Sequence, residues 1–269
     1  MDQTATLTSQ ARGREVARVK AFVVNAIENA RAVEKPFHHL ELENIFPPDI
    51  YAKMLALMPQ AVEYRPMHGG GRARAEDGTN TRVKIDLFPE YIRHMAPEKR
   101  ALWDIVGRAL CSRPVKEAFA RRLEPGLRKR FGDKFLKTGL YPIPILTRDI
   151  PGYSIPPHPD TRWKGITVQL YLPRDESHTT IGTIFHEELP DGSLPKRSQM
   201  RFAPNTGYAF AVGKDTWHSA DRVPDTVVTR DSILLTYFVD NTLLTVLRNR
   251  GKRLGNFLLN EFRSRGRAA

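Results

Sequence analysis

The hydrophobic pattern of this chain changes its period at residue 138, and this change limits the fold more than any other feature. Before it, apolar residues recur at helical spacing. After it come short segments that are rich in β-branched and aromatic residues and separated by Pro, Gly, Asp and Asn. These segments are 139–150, 164–173, 179–188, 199–204, 207–213, 216–223 and 229–240. Seven or eight short strands close together predict a sandwich or jelly roll.

The first half of the chain is predicted to be mainly helical. The expected helices are 14–34, 48–57, 97–110 and 113–130, with one short strand within 36–46. Residues 69–81 are rich in Gly and charge and are predicted to form a mobile loop. After residue 240 the pattern is helical again, with a break near Gly251 or Gly255.

We therefore predict one α+β domain that spans residues 1–269. It consists of a helical N-terminal region (1–137), a jelly-roll core (138–240) and a basic C-terminal helix and tail (241–269). The C-terminal helix carries an apolar stripe that would pack on its own core or on a partner: Leu243, Leu247, Leu254 and Leu258. The sequence does not determine the oligomeric state.

Composition narrows the class of protein. No run approaches the roughly 18 apolar residues of a membrane span, and the N-terminus lacks the apolar region of a secretory signal. The one cysteine, Cys111, excludes an internal disulfide and a multi-cysteine zinc site. These absences predict a cytoplasmic protein without a membrane partner.

The chain carries a net charge of +12, which favours anionic partners. From Arg248 onward there are seven basic residues and one acidic residue, Glu261, so half of the excess lies in the C-terminal segment. A solvated basic helix end and a docking surface both fit this distribution. The charge is therefore weak support for nucleic-acid binding.

The stretch GYSIPPHPDTRWKGITVQLYL places His158 and Asp160 two residues apart, so that on an extended backbone both leave the same side. His218, in a predicted strand 58 residues after Asp160, is a third candidate ligand. Two imidazoles and one carboxylate with open positions suit non-haem Fe(II) oxygenases. The alternatives are two polar loop residues beside prolines and a buried histidine bonded to the backbone.

A second polar group lies on the predicted core strands. Arg230 and Ser232 share one face of strand 229–240, and a buried arginine needs an anion, which its guanidinium binds in a fork. An ordinary structural salt bridge is the alternative. Tyr171 lies on a polar face of strand 164–173, opposite a wholly apolar face that should pack against the helices. We therefore expect the polar face, which carries Tyr171, to line the interior of a barrel that binds a ligand.

The run from Arg148 to Phe238, about a third of the chain, resembles the Fe(II)/2-oxoglutarate-dependent dioxygenases of the prolyl-4-hydroxylase-like branch. The matching segments are PGYSIPPHPD, TVQLYLPRD, GTIFH, FAPNTGYAF, WHS and RDSILLTYF. The resemblance implies a double-stranded β-helix core. The residues it implies for iron are His158, Asp160 and His218, and those it implies for the co-substrate are Arg230, Tyr171, Ser232 and Thr183.

The resemblance also implies the reaction. The expected cofactors are Fe(II), 2-oxoglutarate and O2, with ascorbate as a candidate reductant. The expected activity is hydroxylation of an unactivated C–H bond of a small molecule (an amino acid, a sugar or a natural-product intermediate), with release of succinate and CO2. Candidate contacts to an anionic substrate are Arg148, Lys164, Arg72 and Arg74.

Three other functions stay open. The first is hydroxylation of a peptidyl residue such as proline. The second is nucleic-acid demethylation, which is disfavoured because demethylase relatives place a second arginine a few residues after the first, whereas here Arg248 is the next after Arg230. The third is a jelly-roll binding or sensor module without catalysis, although all the implied ligands are present.

Overall fold

The computed structural model describes residues 3–67 and 78–241, and thereafter residues 245, 247, 249–251, 253–255, 257 and 258. Most of the Gly-rich segment 69–81, including Arg72 and Arg74, lies outside these residues, as do Leu243 and the last eleven residues of the tail. In the described part of the chain, no helix is long and apolar enough to cross a bilayer.

Among the residues described before position 138, the α-helices are α1 (Gln3–Glu28), α2 (Pro48–Ala56), α3 (Pro89–Ile92), α4 (Pro97–Leu110), α5 (Arg113–Arg122) and α6 (Glu124–Phe131). A proline occupies the first or second position of each helix from α2 to α6, where the missing N–H costs no hydrogen bond. The sequence predicts one helix over 113–130, and this is wrong. Pro125 cannot continue a helix, so the chain breaks at Leu123 and restarts.

In the described part of the chain, twelve strands form two antiparallel sheets. They are β1 (Arg31–Val33), β2 (His39–Leu42), β3 (Arg65–Pro66), β4 (Arg82–Asp86), β5 (Leu140–Asp149), β6 (Ile155–His158), β7 (Lys164–Tyr171), β8 (Ile184–His186), β9 (Lys196–Gln199), β10 (Gly207–Ala211), β11 (His218–Ala220) and β12 (Arg230–Val239). The large sheet has the order β1-β2-β10-β7-β12-β5-β4-β3, and the small sheet has the order β6-β11-β8-β9. This is the predicted α+β fold with a double-stranded β-helix core.

The N-terminal region contributes more to the sheet than the sequence predicts. Its four strands, β1 to β4, extend both edges of the large sheet, whereas the sequence indicates one. Strand β4 has a polar sequence, because Arg82, Lys84 and Asp86 occupy alternate positions along it. Its pairing with β5 therefore cannot be inferred from its own residues. In the second half, the strand predicted over 199–204 is instead β9, which ends at Gln199.

The two faces of the large sheet pack differently. On the outer face, Val168, Leu170 and Leu172 are buried in one apolar cluster with helical residues such as Trp103 and Phe119, as predicted for the apolar side of β7. On the inner face, Phe185 of the small sheet packs edge-on against Tyr208, with ring centroids 5.2 Å apart. This aromatic filling sets the spacing between the sheets.

The described residues between 245 and 258 are helical. Leu247, Leu254 and Leu258 are 59%, 60% and 48% exposed, so these members of the predicted apolar stripe do not pack on the core. Other residues of the helix contact the rest of the protein. Arg253 forms an ion pair with Glu90 and stacks over Phe88, and the ring of Phe257 packs against Tyr91.

Candidate metal centre

Two histidines face each other across the small sheet. His158 ends β6 and His218 begins β11, and the antiparallel register places them directly opposite, with ring centroids 4.5 Å apart. Asp160 follows two residues after His158, and the ligand atoms of the three side chains lie within 4.8 Å of one another. The structure therefore brings together the three residues that the sequence singles out.

Backbone carbonyls orient both imidazoles. His158 Nδ1 lies 2.9 Å from the Pro156 carbonyl oxygen, and His218 Nδ1 lies 3.0 Å from that of Thr216. A carbonyl oxygen only accepts, so each Nδ1 carries the proton and donates it. The lone pair of the neutral ring is then on Nε2, the arrangement found for metal-ligating histidines.

Asp160 is held by two donors. Lys164 Nζ lies 2.5 Å from one carboxylate oxygen, and the Thr167 hydroxyl donates to the other at 2.5 Å. Burial alone would raise the pKa of Asp160, but the Lys164 charge, His218 and these two hydrogen bonds lower it to about 2. Burial lowers the pKa of His218 to about 4, against the opposing effect of Asp160. At neutral pH the pair is an anionic carboxylate and a neutral imidazole, the forms that bind a cation.

The donor set fits a divalent first-row metal. Two imidazole nitrogens and one carboxylate oxygen, oriented by their own hydrogen bonds, match the facial triad of non-haem Fe(II) sites. The three residues lie at a cavity of about 240 Å³, so positions on a bound ion would face that space.

Two arginines line the same cavity and share one buried carboxylate. Arg230 donates from Nε and Nη2 to Asp149 Oδ2 at 3.0 and 2.8 Å, and from Nη1 to the Ile181 carbonyl at 2.7 Å. Arg82 donates to both oxygens of Asp149, at 2.5 and 2.8 Å. Arg230 therefore does form the structural salt bridge that the sequence left open as an alternative, and its partner is Asp149.

A polar network lines the cavity beside Arg230. The Tyr208 hydroxyl lies 2.8 Å from Gln169 Oε1 and 3.0 Å from Thr183 Oγ1. Tyr171 and Ser232, which the resemblance assigns to the co-substrate, lie behind the side chains that line the cavity and do not line it themselves. Tyr171 accepts a hydrogen bond from the Thr183 N–H at 2.9 Å, and Ser232 accepts one from Gln169 at 3.0 Å. Both residues position the side chains that line the cavity.

The candidate substrate contacts separate into three groups. Lys164 lines the cavity, beside Asp160. Arg148 is on the opposite face of β5, where it pairs with Asp231 and stacks over Tyr64, so its expected contact at the metal cavity is wrong. Alternation along β5 is the reason, since its neighbour Asp149 is the residue that faces inward. Arg72 and Arg74 lie outside the described residues.

Sequence reasoning missed Arg82, Asp149 and Tyr208. Tyr208 had a detectable signal, because GYAFA alternates large aromatic and small residues and faces the same interior as β7. No sequence signal pointed to Arg82, since it lies in a short polar strand far from the core motifs. Only the pairing of β4 with β5 places Arg82 opposite Asp149.

Comparison with solved structures finds similar chains. The Pseudomonas putida prolyl-4-hydroxylase is 14% identical, with 82% of this chain and 99% of that chain covered and a TM-score of 0.45. A Trichoplax adhaerens prolyl hydroxylase in complex with a hypoxia inducible factor peptide is 13% identical, with 86% and 93% covered and a TM-score of 0.49. A 2OG-Fe(II) oxygenase from Burkholderia pseudomallei is 14% identical, with 76% and 85% covered and a TM-score of 0.44. No protein-family model matches the sequence, and neither does any curated protein.

Proposed function

We propose that the protein is an Fe(II)- and 2-oxoglutarate-dependent dioxygenase that hydroxylates an unactivated C–H bond of a small molecule. The observation that carries this proposal is the meeting of His158, Asp160 and His218 at one cavity that is also lined by the buried guanidinium group of Arg230. A metal-chelating end and a carboxylate-binding end are the two features that recognition of a 2-oxo dicarboxylic acid requires.

Each group has a role in this proposal. His158, Asp160 and His218 hold the iron, which supplies the activation of dioxygen coupled to oxidative decarboxylation of 2-oxoglutarate. Arg230 binds the distal carboxylate of the co-substrate, and Thr183 donates a hydrogen bond beside it. Tyr171 and Ser232 keep Thr183 and Gln169 in place. Apolar residues of the cavity wall, such as Ile155 and Leu234, exclude water from the reacting groups.

The size of the cavity suits a small dicarboxylic acid such as the proposed co-substrate. At about 240 Å³ it lies just below the range of roughly 300–1,000 Å³ that is usual for small-molecule sites. Lys164 at its wall adds a cation, which suits a substrate with a carboxylate or phosphate group once Asp160 is engaged by the metal.

Two measurements test the proposal. Succinate formation from 2-oxoglutarate should depend on added Fe(II). If no succinate forms, the proposed activity is wrong and the alternative of a binding module without catalysis stands. Coupled turnover should then be compared between panels of small anionic metabolites and proline-containing peptides. Stimulation by peptides alone would replace the small-molecule assignment with peptidyl hydroxylation.

A further inference from the structure

The cluster of Arg82, Asp149 and Arg230 carries one positive charge in excess. Asp149 is fully buried and Arg230 is 2% exposed, yet two guanidinium groups share this one carboxylate. Among the described residues, no second acid bonds to either arginine. The Arg82 side chain is 16% exposed, so most of this excess charge is withdrawn from bulk water. Such a charge is costly unless an anion meets it, and the cluster is therefore suited to receive one.

Arg82 has more hydrogen-bonding capacity left than Arg230. A guanidinium carries five N–H donors. Arg230 uses three of them, two on Asp149 and one on the Ile181 carbonyl, whereas Arg82 uses two, both on Asp149. Both side chains line the metal cavity, so the remaining donors are available to a ligand there.

The ring of Tyr153 holds the two guanidinium groups on one side. It lies 4.1 Å from the Arg82 guanidinium carbon and 5.4 Å from that of Arg230, measured to the ring centroid. Tyr153 is 2% exposed, so this aromatic wall is fixed. With Asp149 between them and Tyr153 beside them, the guanidinium groups of Arg82 and Arg230 are held in a fixed arrangement before a ligand binds.

We propose that Arg82 is a second binding residue for the distal carboxylate of the co-substrate, and that Asp149 is the positioning residue that joins it to Arg230. The inference rests on the proposed function. It extends the site to strand β4, outside the segment that carries the family resemblance. Two guanidinium groups at one end of the cavity select a 2-oxo acid with a second carboxylate over one without it.

The test compares two ligands that differ only at the distal end. Anaerobic, Fe(II)-loaded protein is titrated in a calorimeter with 2-oxoglutarate and with 2-oxobutanoate, which keeps the 2-oxo acid group and lacks the distal carboxylate. Arg82→Gln should lower the affinity for 2-oxoglutarate about 10- to 100-fold, the effect of losing a charge-assisted hydrogen bond, and leave 2-oxobutanoate unchanged. Arg65→Gln is the matched control, since Arg65 pairs with Asp86 on the same sheet edge and should alter neither affinity.

The outcomes separate the two proposals. Wild-type protein that binds neither 2-oxo acid in the presence of Fe(II) overturns the proposed function. Wild-type protein that prefers 2-oxoglutarate, combined with an Arg82→Gln variant that keeps this preference or loses affinity for both acids equally, overturns the role of Arg82 alone. If Arg82→Gln does not fold, the test is made with Arg82→Lys, which keeps a cation opposite Asp149 but has fewer N–H donors. The proposal then requires that Arg82→Lys weakens binding of 2-oxoglutarate and leaves binding of 2-oxobutanoate unchanged.

Discussion

His158 and His218 are direct cross-strand neighbours, paired at the point where β6 ends and β11 begins. The imidazole separation is therefore fixed by backbone pairing and by one carbonyl bond to each ring, at Pro156 and Thr216. Asp160 completes the group from the turn that follows, where its carboxylate is held by Lys164 and Thr167 of β7. The small sheet thus positions two of the candidate ligands, His158 and His218, and the large sheet orients the third, Asp160.

Removal of the carboxylate ligand should abolish metal-dependent turnover. Asp160→Ala takes away the one anionic donor among the three, so Fe(II) binding measured by calorimetry and succinate formation should both fall to background. Asp191→Ala is the control, because Asp191 is an exposed turn residue bonded to Ser193. Wild-type turnover in Asp160→Ala would rule out its role as a ligand.

Loss of the hydroxyl behind Asp160 should weaken the metal site without removing a ligand. Thr167→Val deletes the 2.5 Å hydrogen bond to the carboxylate and is expected to lower Fe(II) affinity about 10- to 100-fold, as is usual for partners of metal ligands. Thr167→Ser keeps the hydroxyl and should restore most of the affinity. Equal weakening in both variants would point to packing of the threonine methyl group instead.

A methyl group at Gly182 should displace the turn that serves the cavity. The added Cβ would lie 1.7 Å from the Met200 carbonyl oxygen, and the neighbours Ile181 and Thr183 supply a carbonyl to Arg230 and a hydroxyl to the cavity. Gly182→Ala should lower the free energy of unfolding by roughly 1–3 kcal/mol, the usual cost of overpacking, measured by urea titration. Gly13→Ala, at a helix position with open space, should instead be neutral or stabilising.

The buried carboxylate between the arginines should make stability depend on pH. Desolvation would raise the pKa of Asp149, but Arg82 and Arg230 lower it below its usual range. The unfolded chain then binds more protons, so stability rises with pH until the unfolded-state pKa of about 3.9 is passed. Asp149→Asn, which keeps the shape and removes the charge, should cost about 3–5 kcal/mol at pH 7.

That difference should shrink as the pH falls below about 4, because the carboxylate of the unfolded wild-type chain is protonated there while the folded one is still ionised, and proton binding favours the unfolded chain. Urea unfolding at several pH values measures it. Asp133→Asn, at an exposed carboxylate, should change stability little at any of them. A penalty for Asp149→Asn that stayed constant down to pH 3 would contradict the ionised cluster.

Local patterns predicted most of the core strands and the pair His158 and Asp160 because both depend on spacing along one segment. His218 lies 58 residues further along the chain and was singled out as a histidine of another predicted strand. Period-two alternation places His158 with Asp160 and Arg230 with Ser232 on common faces, whatever lies around them. The partners of these residues depend on pairing between distant strands. The tripeptide Thr-Arg-Asp occurs at 147–149 and again at 229–231, and antiparallel register sets each arginine opposite the aspartate of the other copy.

This crossed arrangement explains the error at Arg148 and the omission of Asp149. The two ion pairs of the repeated tripeptide lie on opposite faces of the sheet, and both depend on the observed register. A shift of one residue would set Arg230 opposite Arg148, or Asp231 opposite Asp149, and would break both pairs. Arg82 joins the inward pair from β4, a short polar strand between β5 and the edge strand β3 that carries no motif, so its place beside Asp149 could be found only from the tertiary structure.

The aromatic filling between the sheets has a consequence for which acids fit. The histidines belong to the small sheet, whereas the strands of Arg82 and Arg230 belong to the large one. A molecule that touches both must bridge a gap whose width Phe185 and Tyr208 maintain. In the proposed site, the thickness of this aromatic layer would therefore set the length of the dicarboxylate that reaches from the histidines to the arginines.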